Sequence, residues 1–231
     1  AKVEEILQSL TLEEKVAQMF VVLPEALTGV RPVTSAGETT KAAFDRLPVG
    51  GIIYMKENLT SPEQTEAMLS STQTYSMERL GLPVFLAVDE EGGTVARVGG
   101  REEFGIPAME NMAQVGASGD LTRAREVGAA LGGYISLLGF NLDFAQDADV
   151  WSNPENEVVR HRSFGSDAAL VADMSMEVLY GLNENGIYGC LKHFPGHGAT
   201  QGDTHAVYAY TDKTLEELKE CELIPFQRGI E

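Results

Sequence analysis

Val84-Phe85-Leu86-Ala87-Val88 runs without interruption into Asp89-Glu90-Glu91. An apolar run of this length, preceded by Pro83 and ended by three carboxylates, reads as a strand buried on both faces whose polar residues gather at its C-terminal end. The arrangement recurs. Phe140 to Ala145 is followed by Asp147 and Asp149, and Ile187-Tyr188-Gly189-Cys190-Leu191 by Lys192-His193. Gly50-Gly51-Ile52-Ile53-Tyr54 and the end of Met19-Phe20-Val21-Val22 read as further strands.

Helix signals fill the intervals. Thr11-Leu12-Glu13-Glu14 is a capping box, and Ser61-Pro62-Glu63-Gln64 combines an N-cap, a first-position proline and a third-position Gln. The second helix should run to Leu80, where Gly81 and Pro83 stop it. Asp120 caps a predicted helix to Leu138, Ser166 or Asp167 one that ends near Gly186, and Thr214-Leu215-Glu216-Glu217 opens a last one. The Gly-rich stretch from Gly92 to Gly119 is expected to be a long loop. Buried strands alternating with helices imply an α/β chain with a parallel sheet. Polar residues at successive strand ends favour a TIM (β/α)8-type barrel over a doubly wound sheet, because they converge at a barrel's C-terminal face. About five βα units are visible where a closed barrel has eight. The expectation is a single barrel domain over residues 1–231, truncated at its C-terminal end.

Composition excludes several classes. With 35 acidic and 17 basic residues the formal charge is −18, which leaves nothing to displace the counterions of a nucleic acid or an anionic membrane. No stretch approaches the roughly twenty apolar residues of a membrane span, and Ala1-Lys2-Val3-Glu4-Glu5 lacks the apolar core of a signal peptide. Ala1 is not an initiator Met, so residues upstream are expected to have been removed. That is compatible with a trimmed cytoplasmic protein and with the mature part of an exported one. Cys190 and Cys221 fit neither a zinc pattern nor a disulfide framework and read as inert thiols.

The chemistry concentrates in Lys192-His193-Phe194-Pro195-Gly196-His197-Gly198 and the following Asp203-Thr204-His205. Asp203 and His205 can face each other, the carboxylate taking one imidazole proton and freeing the other nitrogen for acid/base work. An isolated Asp-x-His is more often a solvated loop, but the neighbouring Lys192, His193 and His197 favour the dyad. His193, His197, His205 and Asp203 also form a possible metal set. Pro195-Gly196 keeps the first two off one helical face, and Lys192 places a cation beside them, so no metal is expected. The glycines match neither the dinucleotide fingerprint nor the P-loop, and no cofactor is implied. Asp89 suits either a carboxylate that accepts two sugar hydroxyls or a loop-ordering residue, and Arg97 and Arg162 either ligand contacts or structural ion pairs.

Taken in order, these segments resemble the N-terminal catalytic domain of family 3 glycoside hydrolases, in its β-N-acetylhexosaminidase branch. Leu10 to Met19 resembles the opening segment of that family. Asp89-Glu90-Glu91-Gly92-Gly93-Thr94-Val95 resembles its Asp-Gln-Glu-Gly-Gly-Arg-Val motif, with Glu90 and Thr94 in place of Gln and Arg. Arg162-Ser163-Phe164-Gly165 and Lys192 to Gly198 match further signatures, the last highly specific. The resemblance implies that Asp89, Arg97, Arg162, Lys192 and His193 hold the hydroxyls of the deepest sugar. It implies Asp203 and His205 as the acid/base pair, with Thr204 where the family has Ser. It also implies retention through a covalent glycosyl-enzyme, the nucleophile being an Asp after a later strand, beyond Glu231. The expected ligand is a saccharide or glycan with a terminal N-acetylglucosamine; bacterial muropeptides of peptidoglycan recycling and chitin-derived sugars both qualify. A phosphorylase on the same scaffold and a non-catalytic saccharide-binding fragment are the alternative readings.

Overall fold

The structure, a computed structural model, describes residues 2–202 and 208–231. Along these residues the order is α1 (Lys2–Ser9), α2 (Leu12–Ala17), β1 (Val21–Val22), α3 (Pro24–Thr28), α4 (Glu38–Arg46), β2 (Gly51–Ile53), α5 (Pro62–Leu80) and β3 (Phe85–Val88). Then come α6 (Met112–Ser118), α7 (Leu121–Leu137), β4 (Leu142–Asp143), α8 (Ala168–Glu184), β5 (Tyr188–Gly189), α9 (Leu215–Lys219) and α10 (Ile224–Ile230). The strands lie in the order β1-β2-β3-β4-β5. Sequential neighbours joined by helices are the winding of a (β/α) barrel wall rather than of a doubly wound sheet, whose order reverses part-way.

Local chemistry sets the boundaries. Thr11 Oγ1 accepts the Glu14 amide at 3.2 Å while Glu14 Oε2 accepts the Thr11 amide at 2.9 Å, the reciprocal capping read from the sequence. Ser61 Oγ caps α5 by accepting the Gln64 amide at 3.2 Å, and Gly81, at φ 68°, ends it in the left-handed conformation that costs glycine nothing. Asp167 caps α8 through two amides, and Thr214 caps α9. The stretch from Gly92 to Gly119 departs from expectation, because it contains a 3-10 turn at Glu102–Phe104 and the helix α6.

The chain packs as two compact units. The first comprises residues up to Val88 with Leu137–Leu142. Here β1 pairs parallel with β2, Val22 opposite Ile52, and β2 with β3, Ile52 opposite Leu86. Phe44, Ile52, Leu59, Leu69, Leu86 and Val88 are buried beneath them. Tyr54 packs edge-on to Phe140 at 6.3 Å and hydrogen bonds Thr72 at 3.1 Å, so its hydroxyl is not left orphaned in the core. The second unit comprises Asp89–Ser136 and Asp143–Glu231. Its core includes Val115, Leu131, Ile135, Ala145, Val150, Phe164, Met174, Val178 and Leu182. Cys190 N–H donates to Ala145 O at 2.9 Å and Lys192 N–H to Gln146 O at 3.0 Å, which carries parallel pairing past β5 as far as Lys192 opposite Asp147. Every described candidate residue of the site belongs to this second unit.

Candidate active site

The backbone delivers side chains to the site from three strand ends. Asp89 is the first residue past β3, Asp147 and Asp149 follow β4, and Lys192 and His193 follow β5, joined by a cis peptide. A strand keeps its hydrogen-bonding ladder only until a neighbour diverges, and these residues sit just beyond that point, where side chains turn out of the core.

Lys192 Nζ lies 2.8 Å from Asp89 Oδ1 and 2.5 Å from Glu91 Oε1. Glu91 is buried and also receives the full fork of Arg162, Nε to Oε2 and Nη2 to Oε1, each at 2.8 Å. Burial by itself would raise the Glu91 carboxyl, yet Arg162 and Lys192 together hold it below the ordinary value. Burial would likewise lower Lys192, but Glu91 and Asp89 raise it, so the cation is kept. Arg162 Nη2 also reaches His193 Nε2, at 3.1 Å. A guanidinium only donates, so that ring nitrogen accepts, and His193 Nδ1 carries the proton toward Asp149 Oδ2 at 2.6 Å. Asp149 Oδ1 in turn takes the backbone amides of His193 at 3.2 Å and His197 at 2.5 Å. Although burial pushes the Asp149 carboxyl upward, His193 and these amides bring it below its usual value. The imidazole is thus fixed in tautomer and in orientation.

Arg97 completes the group, with Nη2 3.4 Å from Asp89 Oδ2. Its buried Nε has no partner among the described residues, so the guanidinium keeps unused donor capacity. Asp147 closes the floor. Its Oδ2 is 3.3 Å from Arg162 Nε without a hydrogen bond, and its carboxyl is pushed well above the ordinary value by burial, then by the charges of Asp149 and Glu91. Asp147, Asp149 and His193 offer atoms within 4.8 Å of one another. A cation there would face the guanidinium that already occupies Asp147 and His193 Nε2, an unfavourable fit.

The His-rich segment is held from beneath. Gly198 has no room for a side chain, since a Cβ would lie 1.8 Å from Val150 O. Asn156 donates to His197 O at 2.7 Å and Asn153 to Thr200 O at 3.1 Å. His197 points its Nδ1 at Thr200 Oγ1, 2.6 Å away, and leaves Nε2 buried without a partner among the described residues. Further along, buried Glu222 accepts from Ser152 Oγ at 2.6 Å and pairs with Lys213. Gln201 and Tyr210 pair in an isolated antiparallel bridge, and Asp203 and His205 belong to the residues between them. Those two residues lie outside the described residues. Asp89, Arg97, Arg162, Lys192 and His193 do come together in one connected ionic network. Glu91, Asp147 and Asp149 carry no sequence signal of a role in the site beyond their place at strand ends, the position that marks the others.

A network of this kind at the C-terminal ends of sequentially ordered parallel strands defines the chain as an α/β barrel-type domain with its site at the strand ends. The chain belongs to the glycosyl hydrolase family 3 N terminal domain family, whose profile matches residues 11–231. The beta-hexosaminidase A of Pseudoalteromonas piscicida is 33% identical over 188 residues, which is 79% of this chain and 31% of that protein. Among solved structures, the glycoside hydrolase family 3 beta-N-acetylglucosaminidase from Paenibacillus sp. str. FPU-7 superposes with a TM-score of 0.84 at 34% identity, over 96% of this chain and 40% of that one. NagZ from Neisseria gonorrhoeae, in complex with N-trifluoroacetyl-D-glucosamine, gives 0.74 at 32% identity over 85% and 57%. The chain therefore spans less than two thirds of each of these relatives. Its fold is that of a TIM-barrel-type α/β domain, with five strands among the described residues. No helix among the described residues is long and apolar enough to cross a membrane.

Proposed function

We propose that this chain belongs to an exo-acting β-N-acetylglucosaminidase that removes a terminal N-acetyl-β-D-glucosamine from a saccharide or glycan with retention of configuration. The observation that carries the reading is the Asp89–Lys192–Glu91–Arg162–His193 network. It gathers two carboxylates, two cations and an imidazole, Glu91 buried and the others partly so, from the ends of neighbouring strands. Such a set both donates to and accepts from vicinal hydroxyls, and its mutual ion pairs hold it in place before a sugar arrives. The activities for which these relatives are named support the substrate class.

In the proposed reaction Asp89, Arg97, Arg162, Lys192 and His193 orient the sugar. His205, protonated and aligned by Asp203, donates to the leaving oxygen, while a second group, assigned to no residue here, attacks the anomeric carbon. Neutral His205 then takes the proton of the water that releases the sugar. An imidazole in this role adds no further negative charge to a site already lined by Asp89, Glu91, Asp147 and Asp149. The test is His205→Ala in the intact protein, assayed on aryl N-acetyl-β-glucosaminides with good and poor leaving groups. A far larger loss on the poor leaving group is expected, and equal losses would remove the acid role. Products formed in phosphate buffer should be free sugar; a sugar phosphate would convert the reading to a phosphorylase.

A further inference from the structure

Glu90 stands where the family resemblance has Gln, and its surroundings explain a carboxylate. The residue is fully buried. Oε2 accepts the Arg97 amide at 2.6 Å and the Val98 amide at 3.1 Å, while Oε1 accepts the Gly99 amide at 2.9 Å and the Tyr134 hydroxyl at 2.8 Å. The Glu90 amide is itself fixed on Asp143 Oδ1 at 2.9 Å. Four donors thus converge on two oxygens, and three of them are backbone N–H groups that cannot reverse polarity. A Gln in either orientation would turn an NH2 toward at least one of those amides. Gly99 is pressed close as well, since a Cβ there would stand 2.8 Å from Glu90 Oε1 and 3.2 Å from Tyr134 Oη.

Arg97 is what this cradle serves. Its side chain does little to fix its own position, with one contact at 3.4 Å to Asp89 and an unpartnered Nε. Its backbone is held instead, the amide by Glu90 and the carbonyl by Arg101 Nη1 at 2.9 Å. We infer that Glu90 is a positioning residue: its carboxylate, with Tyr134, folds the 92–99 loop so that the Arg97 guanidinium is aimed at the sugar subsite beside Asp89. The inference rests on the glycosidase reading, because it names how one of the proposed sugar-binding groups is placed.

The experiment compares the intact protein with Glu90→Gln, Arg97→Ala and the double variant, using p-nitrophenyl N-acetyl-β-D-glucosaminide and amide hydrogen exchange at residues 97–99. Loss of a charge-assisted contact predicts that E90Q lowers kcat/KM by about ten- to a hundredfold, chiefly through KM, and speeds exchange at residues 97–99 by about tenfold or more. In the R97A background E90Q should cost less than threefold, since the two act through one contact. Additive losses would mean that Glu90 matters for folding alone, and the inference would fall. Unchanged exchange and KM in E90Q would also overturn it while leaving the glycosidase reading standing. If the unmodified protein does not cleave the probe, the functional reading fails and the aim at a sugar fails with it. Should E90Q not fold, Tyr134→Phe removes a single donor and should reproduce the KM effect in smaller measure; an unchanged KM would count against the inference.

Discussion

Arg162 is the residue on which most of the site turns, because one guanidinium serves Glu91 with two parallel hydrogen bonds and His193 Nε2 with a third contact. A lysine keeps the charge but has no planar fork. Arg162→Lys should therefore lower stability by about 2 kcal/mol in urea unfolding and loosen the His193 ring, with Glu91 left partly unpaired in a buried setting. Unaltered stability would show that the charge alone suffices. Asp143 gives a prediction of opposite sign. Its carboxyl is buried and raised well above the ordinary value, by burial first and then by the charges of Glu90 and Asp89, against the pull of the Glu90 amide and Lys192. A raised carboxyl binds its proton more tightly when folded, so its stability contribution is present at acid pH and lost as pH rises past the unfolded-chain value of about 4. Asp143→Asn keeps an acceptor for the Glu90 amide and carries no charge. It should melt higher than the unmodified protein at pH 7, and the gap should close toward pH 4; a gap independent of pH would refute the assignment. These residues were unequally legible. Lys192 and Asp89 stood out as polar groups ending apolar runs, but that Asp149 fixes the tautomer of His193 depends on a contact 44 positions apart in the chain, which no local pattern encodes.

At the scale of elements, caps and stops were legible because they are local hydrogen-bonding problems. Thr11, Ser61, Asp167 and Thr214 each satisfy an amide within three residues. The helix α6 escaped because its Gly-rich surroundings masked an Asn-x-x-Gln start, in which Gln114 accepts the Asn111 amide at 3.1 Å. The close packing of α7 on α8 was equally hidden. A Cβ at Gly128 would lie 2.2 Å from Val178 O, and one at Gly181 would lie 2.3 Å from Arg125 O, so the two backbones meet across bare glycines. Gly133, one turn further along α7, has nothing nearer than Asn185 Oδ1 at 3.9 Å. The pair makes a controlled comparison. Gly128→Ala should destabilise by about 2–3 kcal/mol because the helices must separate, whereas Gly133→Ala should stabilise by up to about 1 kcal/mol through helix propensity alone. Chemical denaturation of both variants decides it, and equal effects would mean that packing does not set the helix spacing.

At the scale of the whole molecule, the strand order was legible for a physical reason: runs apolar on both faces belong to parallel sheets, and polar residues at the same end of each run require those ends to point one way. Charge was legible too, and it has a consequence for stability. With 35 acids and 17 bases, complete pairing would still leave 18 carboxylates without a cation. Exposed pairs such as Lys41–Glu78 and Arg125–Glu184 contribute little and weaken with salt. Unpaired carboxylates repel one another over distances comparable with the Debye length, about 10 Å at 0.1 M, so salt weakens that repulsion as well. The site network around Glu91 is buried and screened far less. Repulsion among the excess acids should therefore outweigh the exposed pairs, and raising NaCl from about 10 to 200 mM should stabilise the protein by roughly 1 kcal/mol, a rise in Tm of about 2–4 °C. Scanning calorimetry at constant pH measures it. A fall in Tm would mean that surface ion pairs, despite their minority, dominate the electrostatics of this chain.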